Sequence, residues 1–132
     1  MTRFGYVLAA VLFAVTVVAA GSAHFVGVPV FTVSGDTVTV TGKVAGLGNV
    51  PQIHVTVTGV ASCINGGGQH PRAVNKGAFG AGGDFPVQNG KALFALSMEA
   101  VFQPACDPPM TVSWSELSVT VTAEDGTVLV YP

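Results

Sequence analysis

Three stretches of this chain repeat one two-residue rhythm, a β-branched apolar residue followed by a hydroxyl residue. In Asp36 to Val44 (DTVTVTGKV), extended geometry puts Val38 and Val40 on one face and Thr37, Thr39 and Thr41 on the other. Ile53 to Thr58 (IHVTVT) sets Ile53, Val55 and Val57 against His54, Thr56 and Thr58, and Leu117 to Thr122 (LSVTVT) does so a third time. Successive side chains of a strand point to opposite faces, so this pattern describes strands with one dry face and one hydroxylated face. Branching at Cβ reinforces the extended backbone. No helical period is sustained after the first two dozen residues, and the chain is expected to be all-β.

Turn chemistry spaces the strands. Ser34-Gly35-Asp36 separates a first strand (Phe25 to Val33) from the second, and Gly46 to Pro51 joins the second to the third. Asn89-Gly90 and Asp125-Gly126 are hairpin signals, because asparagine, aspartate and glycine tolerate the positive φ that tight turns need. Phe94, Leu96, Met98 and Ala100 share one face of the run Lys91 to Phe102. Leu93, Ala95 and Val101 occupy the other, which predicts a strand covered on both sides. Trp114 alternates with Val112 and is expected to share its inward face, in a core near the cysteines. About seven or eight antiparallel strands in residues 24–132 indicate an immunoglobulin-like two-sheet sandwich, with a small closed barrel as the alternative.

Residues 1–23 read as a cleaved helical signal peptide. Arg3 supplies the positive start, and Phe4 to Ala20 form an uncharged run of 17 residues. Ala23 and Gly21 then offer small residues at the last and third-last positions before a cut at His24. A cut after Ala20 also satisfies the small-residue requirement, through Val18 and Ala20. The remainder, 24–132, is expected to be exported, to the extracellular space or the cell wall, with the leader as its sole tie to a membrane. Cys63 and Cys106 are the only cysteines. Outside the reducing cytosol two such residues can pair, whereas free thiols or a metal pair would lack partners at ligand spacing. Without the leader, four basic residues (Lys43, Arg72, Lys76, Lys91) stand against seven acidic ones, which excludes a nucleic-acid-binding face.

Ile64 to Gly83 (INGGGQHPRAVNKGAFGAGG) breaks the alternation. It is rich in glycine, holds half the basic charge of the exported part and reads as one long loop. Long loops of this kind are usually functional or mobile, so Asn65, Gln69, His70, Arg72, Asn75 and Lys76 are the candidate binding residues. Gln103 to Met110 (QPACDPPM), a second irregular segment, carries the other cysteine. A Cys63–Cys106 bridge would gather both segments at one end of the sandwich. The stretch from Cys63 to Lys76 resembles a C-x-N-x-G-G-x-x-P-x-A-x-N-K pattern of small secreted bacterial β-sandwich proteins, mostly actinobacterial. Ala23-His24-Phe25, Ala45-Gly46-Leu47-Gly48 and Cys106-Asp107-Pro108-Pro109 are similar to the same group, with Asp107 a departure from it. The resemblance implies export, a β-sandwich and the Cys63–Cys106 pair, and it implies no activity.

The residues offer little catalytic chemistry. The sequence has no G-x-S-x-G elbow, no H-E-x-x-H and no phosphate-cradling G-x-x-x-x-G-K-[ST]. Its scattered carboxylates form neither a glycosidase pair nor a calcium-binding series. One metal reading stands as an alternative. A cut before His24 would give that residue a free α-amine beside its imidazole, and both nitrogens suit Cu(II), with His54 or His70 as a further ligand. The principal expectation is a non-catalytic, cofactor-free exported domain with a binding or structural role in the cell envelope or extracellular space, its partner an envelope or extracellular component. Its uncharged threonine faces could also pack against copies of the chain, since they lack the charges that deter association.

Overall fold

The computed structural model describes residues 22–64 and 73–132. They form eight strands: β1 (His24–Phe25), β2 (Val30–Ser34), β3 (Thr37–Ala45), β4 (Gln52–Ile64), β5 (Ala73–Pro86), β6 (Ala92–Glu99), β7 (Thr111–Ala123) and β8 (Val128–Tyr131). All pairings are antiparallel. In the first sheet β3 is central, flanked by β1 and β2 along one edge and by β6 along the other. The second runs β5-β4-β7-β8. The chain is thus an all-β two-sheet sandwich and not a closed barrel. Its β2-β3-β6 and β4-β7-β8 neighbours follow the strand pairing of immunoglobulin-like domains, with β5 added beside β4.

The alternation places the core where the sequence puts it. Val38, Val40, Val44, Ile53, Val55, Val57, Val119 and Val121 are almost wholly buried between the sheets. Each such side chain contributes about 1.5–3 kcal/mol of burial free energy. A second cluster, Ala61, Cys63, Ala100 and Phe102, closes one end, with Trp114 packing against both clusters. Phe79 bridges there, its ring 5.7 Å from Phe102 and 6.2 Å from Trp114. Trp114 and Val112 share the inner face, opposite Ala61 and Cys63 of β4.

β7 keeps that face intact through a bulge. Thr58 pairs with Ser118 but Val60 pairs with Ser115, so β7 carries one extra residue there. Glu116 absorbs it with φ of 54°, which lets Trp114 and Leu117 both point inward. They converge over Gly59, where a Cβ would lie 2.7 Å from the Leu117 side chain.

Three expectations need correction. The segment read as a loop from Ile64 to Gly83 is in its second half a strand, β5, paired with β4 from Ala73 to Pro86. Glycine hides the periodicity, because Gly77 and Gly83 stand at inward positions beside Phe79, Ala81 and Phe85. The β6 run is covered on one side only: Phe94 and Met98 are buried, while Leu93 is 70% and Val101 65% exposed. An outward apolar residue is no evidence of cover, since much of any protein surface is apolar. The expected first strand is split into β1 and β2 at residues 26–29.

The turns fall where expected. Gly35 and Asp36 link β2 to β3, with Ser34 opposite Thr37. Asp125-Gly126 links β7 to β8, closed by the Ala123 amide on the Thr127 carbonyl at 2.9 Å. Asn89 and Gly90 take φ of 55° and 75°, and Gln88 and Lys91 exchange backbone hydrogen bonds of 2.8 and 3.0 Å across them. Beyond this bridge the strands part, β5 to one sheet and β6 to the other. Among the described residues no helix is long and apolar enough to cross a membrane.

Candidate functional site

Sheet register turns three separate sequence patterns into one surface. On the outer face of β5-β4-β7-β8, Thr56 and Thr58 of β4 lie directly opposite Thr120 and Ser118 of β7, and Ser62 opposite Ser113. Neighbouring strands stand about 4.8 Å apart and alternate residues about 6.7 Å apart along a strand, so these hydroxyls form a regular two-dimensional array. The inward partners Val55, Val57, Val119 and Val121 are buried, which fixes which face the hydroxyls take.

The glycines of β5 extend this surface. Gly82 is directly opposite Thr56 and Gly80 opposite Thr58. No side chain rises from either position, so backbone lies open beside the hydroxyls. A Cβ at Gly80 would come within 2.9 Å of the Val57 carbonyl oxygen, and one at Gly82 within 3.3 Å of the His54 ring. Charge on this face lies at its ends, at Lys76 and at His54 and Asp84, and at the exposed Glu116 of the β7 bulge next to Ser118.

His54 and Asp84 are cross-strand partners at that border. His54 donates its Nδ1 proton to Asp84 Oδ1 at 2.8 Å. Thr122 donates its hydroxyl to the His54 carbonyl at 3.4 Å, and with Gln52 and Glu124 these residues line a hollow of about 210 Å³. Both members of the pair are more than half exposed, so it contributes at most about 1 kcal/mol. Among the described residues Asp84 is the sole hydrogen-bond partner of the His54 ring, and no hydroxyl nucleophile is joined to the dyad.

The Cys63–Cys106 disulfide is present, joining the end of β4 to the irregular segment 103–110, with 5.7 Å between the Cα atoms. Asp36, Glu99 and Asp107 border a hollow beside it. Of the candidate loop residues, Lys76 is exposed on β5 opposite Ser62, and Asn75 occupies the β5 position opposite Cys63. Asn65, Gln69, His70 and Arg72 lie outside the described residues. The leader as far as Gly21 does so too.

Of the three histidines considered as metal ligands, the two described ones lie in different sheets. His24 lies on β1 opposite Ala45 and donates Nδ1 to the Ser22 carbonyl at 2.7 Å. His54 is held by Asp84, and His70 is outside the described residues. No group of three or more histidine, cysteine, aspartate or glutamate side chains able to hold a metal ion occurs among the described residues. Sequence reading identified each hydroxyl face but not the β5 glycines beside one of them; the inward parity of Phe79, Ala81 and Phe85 was the available signal. The chain matches no known family model, no curated protein and no solved structure.

Proposed function

We propose that this protein is an exported, non-catalytic binding domain whose β5-β4-β7 outer face docks on an insoluble, uncharged polysaccharide of the cell envelope or its surroundings. The hydroxyl array of Thr56, Thr58, Ser118 and Thr120, beside the open backbone of Gly80 and Gly82, carries this reading. The four array residues are themselves uncharged, with Glu116 of the bulge the one charge beside them among the described residues, which suits a neutral partner. It presents hydroxyls that both donate and accept, as sugar hydroxyls do. A single hydroxyl contact exchanged against water contributes only about 1 kcal/mol. Affinity therefore comes from many contacts made together on an extended surface, where the first contact holds the others at high effective concentration. The leader and the disulfide support export, because paired cysteines persist in oxidising compartments.

Cosedimentation of the oxidised protein with insoluble cellulose and chitin tests this. Binding that is lost when Thr56→Lys and Thr120→Lys are combined, with an unchanged circular-dichroism spectrum, is the expected result. Equal sedimentation of parent and double variant, or concentration-dependent self-association through the same face without glycan, would overturn it.

A further inference from the structure

The residues just before His24 belong to the folded domain. Ala23 is only 8% exposed and sits in the main core cluster with Leu47 and Val44. Ser22 donates its hydroxyl to the Gly46 carbonyl at 3.0 Å, and its own carbonyl accepts the His24 Nδ1 proton at 2.7 Å. Gly46 is shaped to receive this segment. Its φ is +76°, and a Cβ there would fall 2.0 Å from the Ser22 carbonyl oxygen, closer than any two such atoms can approach. Two separate demands, backbone conformation and clearance, thus require glycine at the place where Ser22 lies.

We infer that leader removal occurs after Ala20, so that residues 21–23 remain as the start of the mature chain, with Ser22 and Ala23 sealing the end of the β1-β3 pair against Gly46. This rests on the export reading. Both Ala20 and Ala23 meet the small-residue requirement of the processing enzyme, so local sequence alone admits either bond. The folded domain separates them. A cut after Ala23 would remove a buried core methyl, delete the Ser22 bond to Gly46 and open the cleft that Gly46 leaves. It would also set a charged α-amine where the chain now continues, beside Ala45 and Leu47. A cut after Ala20 keeps all of these contacts. It also makes His24 an internal residue, with an amide nitrogen instead of the free amine that a copper chelate would need.

The test is expression of the full chain with its own leader in a secreting bacterial host, followed by intact mass and N-terminal sequencing of the exported product. A start at Gly21 is the expected result. A start at His24 overturns the inference while leaving export standing, whereas retained Met1 overturns the export reading itself. Two purified chains, 21–132 and 24–132, supply the second measurement. The shorter is expected to show a folding equilibrium constant lower by about tenfold, from the lost methyl burial and hydroxyl bond. Identical denaturation midpoints would also overturn the inference.

Discussion

Trp114 on β7 donates its indole N–H to the backbone carbonyl of Gly35, 3.0 Å away in the β2–β3 turn of the opposite sheet. The bond ties the two sheets together at the end where the disulfide lies, and the same ring packs against Phe79 at 6.2 Å. A bulge one turn of the alternation further on keeps the indole directed inward.

Trp114→Phe should keep most of the packing and lose the hydrogen bond, lowering stability by about 1 kcal/mol. Trp114→Ala should lower it by about 3 kcal/mol, the smaller end of the range for a large aromatic because the ring is half-buried. Guanidinium denaturation of the oxidised protein measures both. Equal midpoints for the two variants would mean that the ring itself contributes nothing.

The disulfide encloses a sequence separation of 43 residues. Joining residues that far apart restricts the unfolded chain by up to about 4 kcal/mol. Domains of this size are stable by about 5–15 kcal/mol in total, so the bridge supplies a large fraction. Cys63→Ala combined with Cys106→Ala should reduce the urea midpoint sharply, and the parent treated with a thiol reductant should match it. A reductant-insensitive midpoint would contradict the pairing.

The legible parts of the fold were those in which side chains carry the pattern. Val38, Val55 and Val119 declare their strands because a valine-threonine alternation leaves only one face to bury. Asn89-Gly90 and Asp125-Gly126 declare their turns through backbone conformations that few residues adopt. β5 was hidden because glycine contributes to the backbone ladder but not to any face, so its pairing with β4 is dictated by β4. The separation of β5 and β6 into different sheets was hidden for a related reason. A turn of this type specifies the local reversal, and the packing of Phe85 against Phe94, 6.3 Å apart, belongs to the two sheets that follow. The hydroxyl faces were visible strand by strand. Their alignment into one surface depends on register, which is set by the buried valines and the Glu116 bulge together.

Asp125 makes the β7–β8 hairpin sensitive to acid. Its hydrogen bonds with Thr127, through the side chain first and then the amide, hold its carboxyl below the usual carboxylate range. The amide contact is 3.0 Å. A carboxyl that is more acidic in the folded state contributes stability that is complete above the unfolded value of about 3.9. That contribution disappears as pH falls through the lower folded value. Asp125→Ala should therefore reduce stability at pH 7 and make no difference near pH 2. Thermal denaturation of both proteins across that range checks the sign, and a deficit that persists unchanged at pH 2 would assign the loss to turn geometry instead of charge.

Among the described residues, Glu116 and Asn89 are the non-glycine residues with positive φ, and glutamate tolerates it less than asparagine. The Glu116 φ of 54° lies in the left-handed region, where an L-residue with a Cβ is disfavoured by about 1–2 kcal/mol. Among the described residues its exposed side chain has no hydrogen bond or ion pair to offset that. Glycine relieves the clash and loses some of the gain to the greater freedom of the unfolded chain, so Glu116→Gly should stabilise by about 0.5 to 1 kcal/mol. Glu116→Val, with branching at Cβ, should do the opposite. Glu116→Gly keeps the bulge and should leave glycan cosedimentation intact. Deleting Glu116 should leave it intact too, since removing the extra residue restores plain alternation, with Trp114 and Leu117 still inward and Ser118 and Thr120 still outward. Denaturation midpoints and cosedimentation of the three variants read the two effects separately, and a destabilised Glu116→Gly would refute the left-handed bulge.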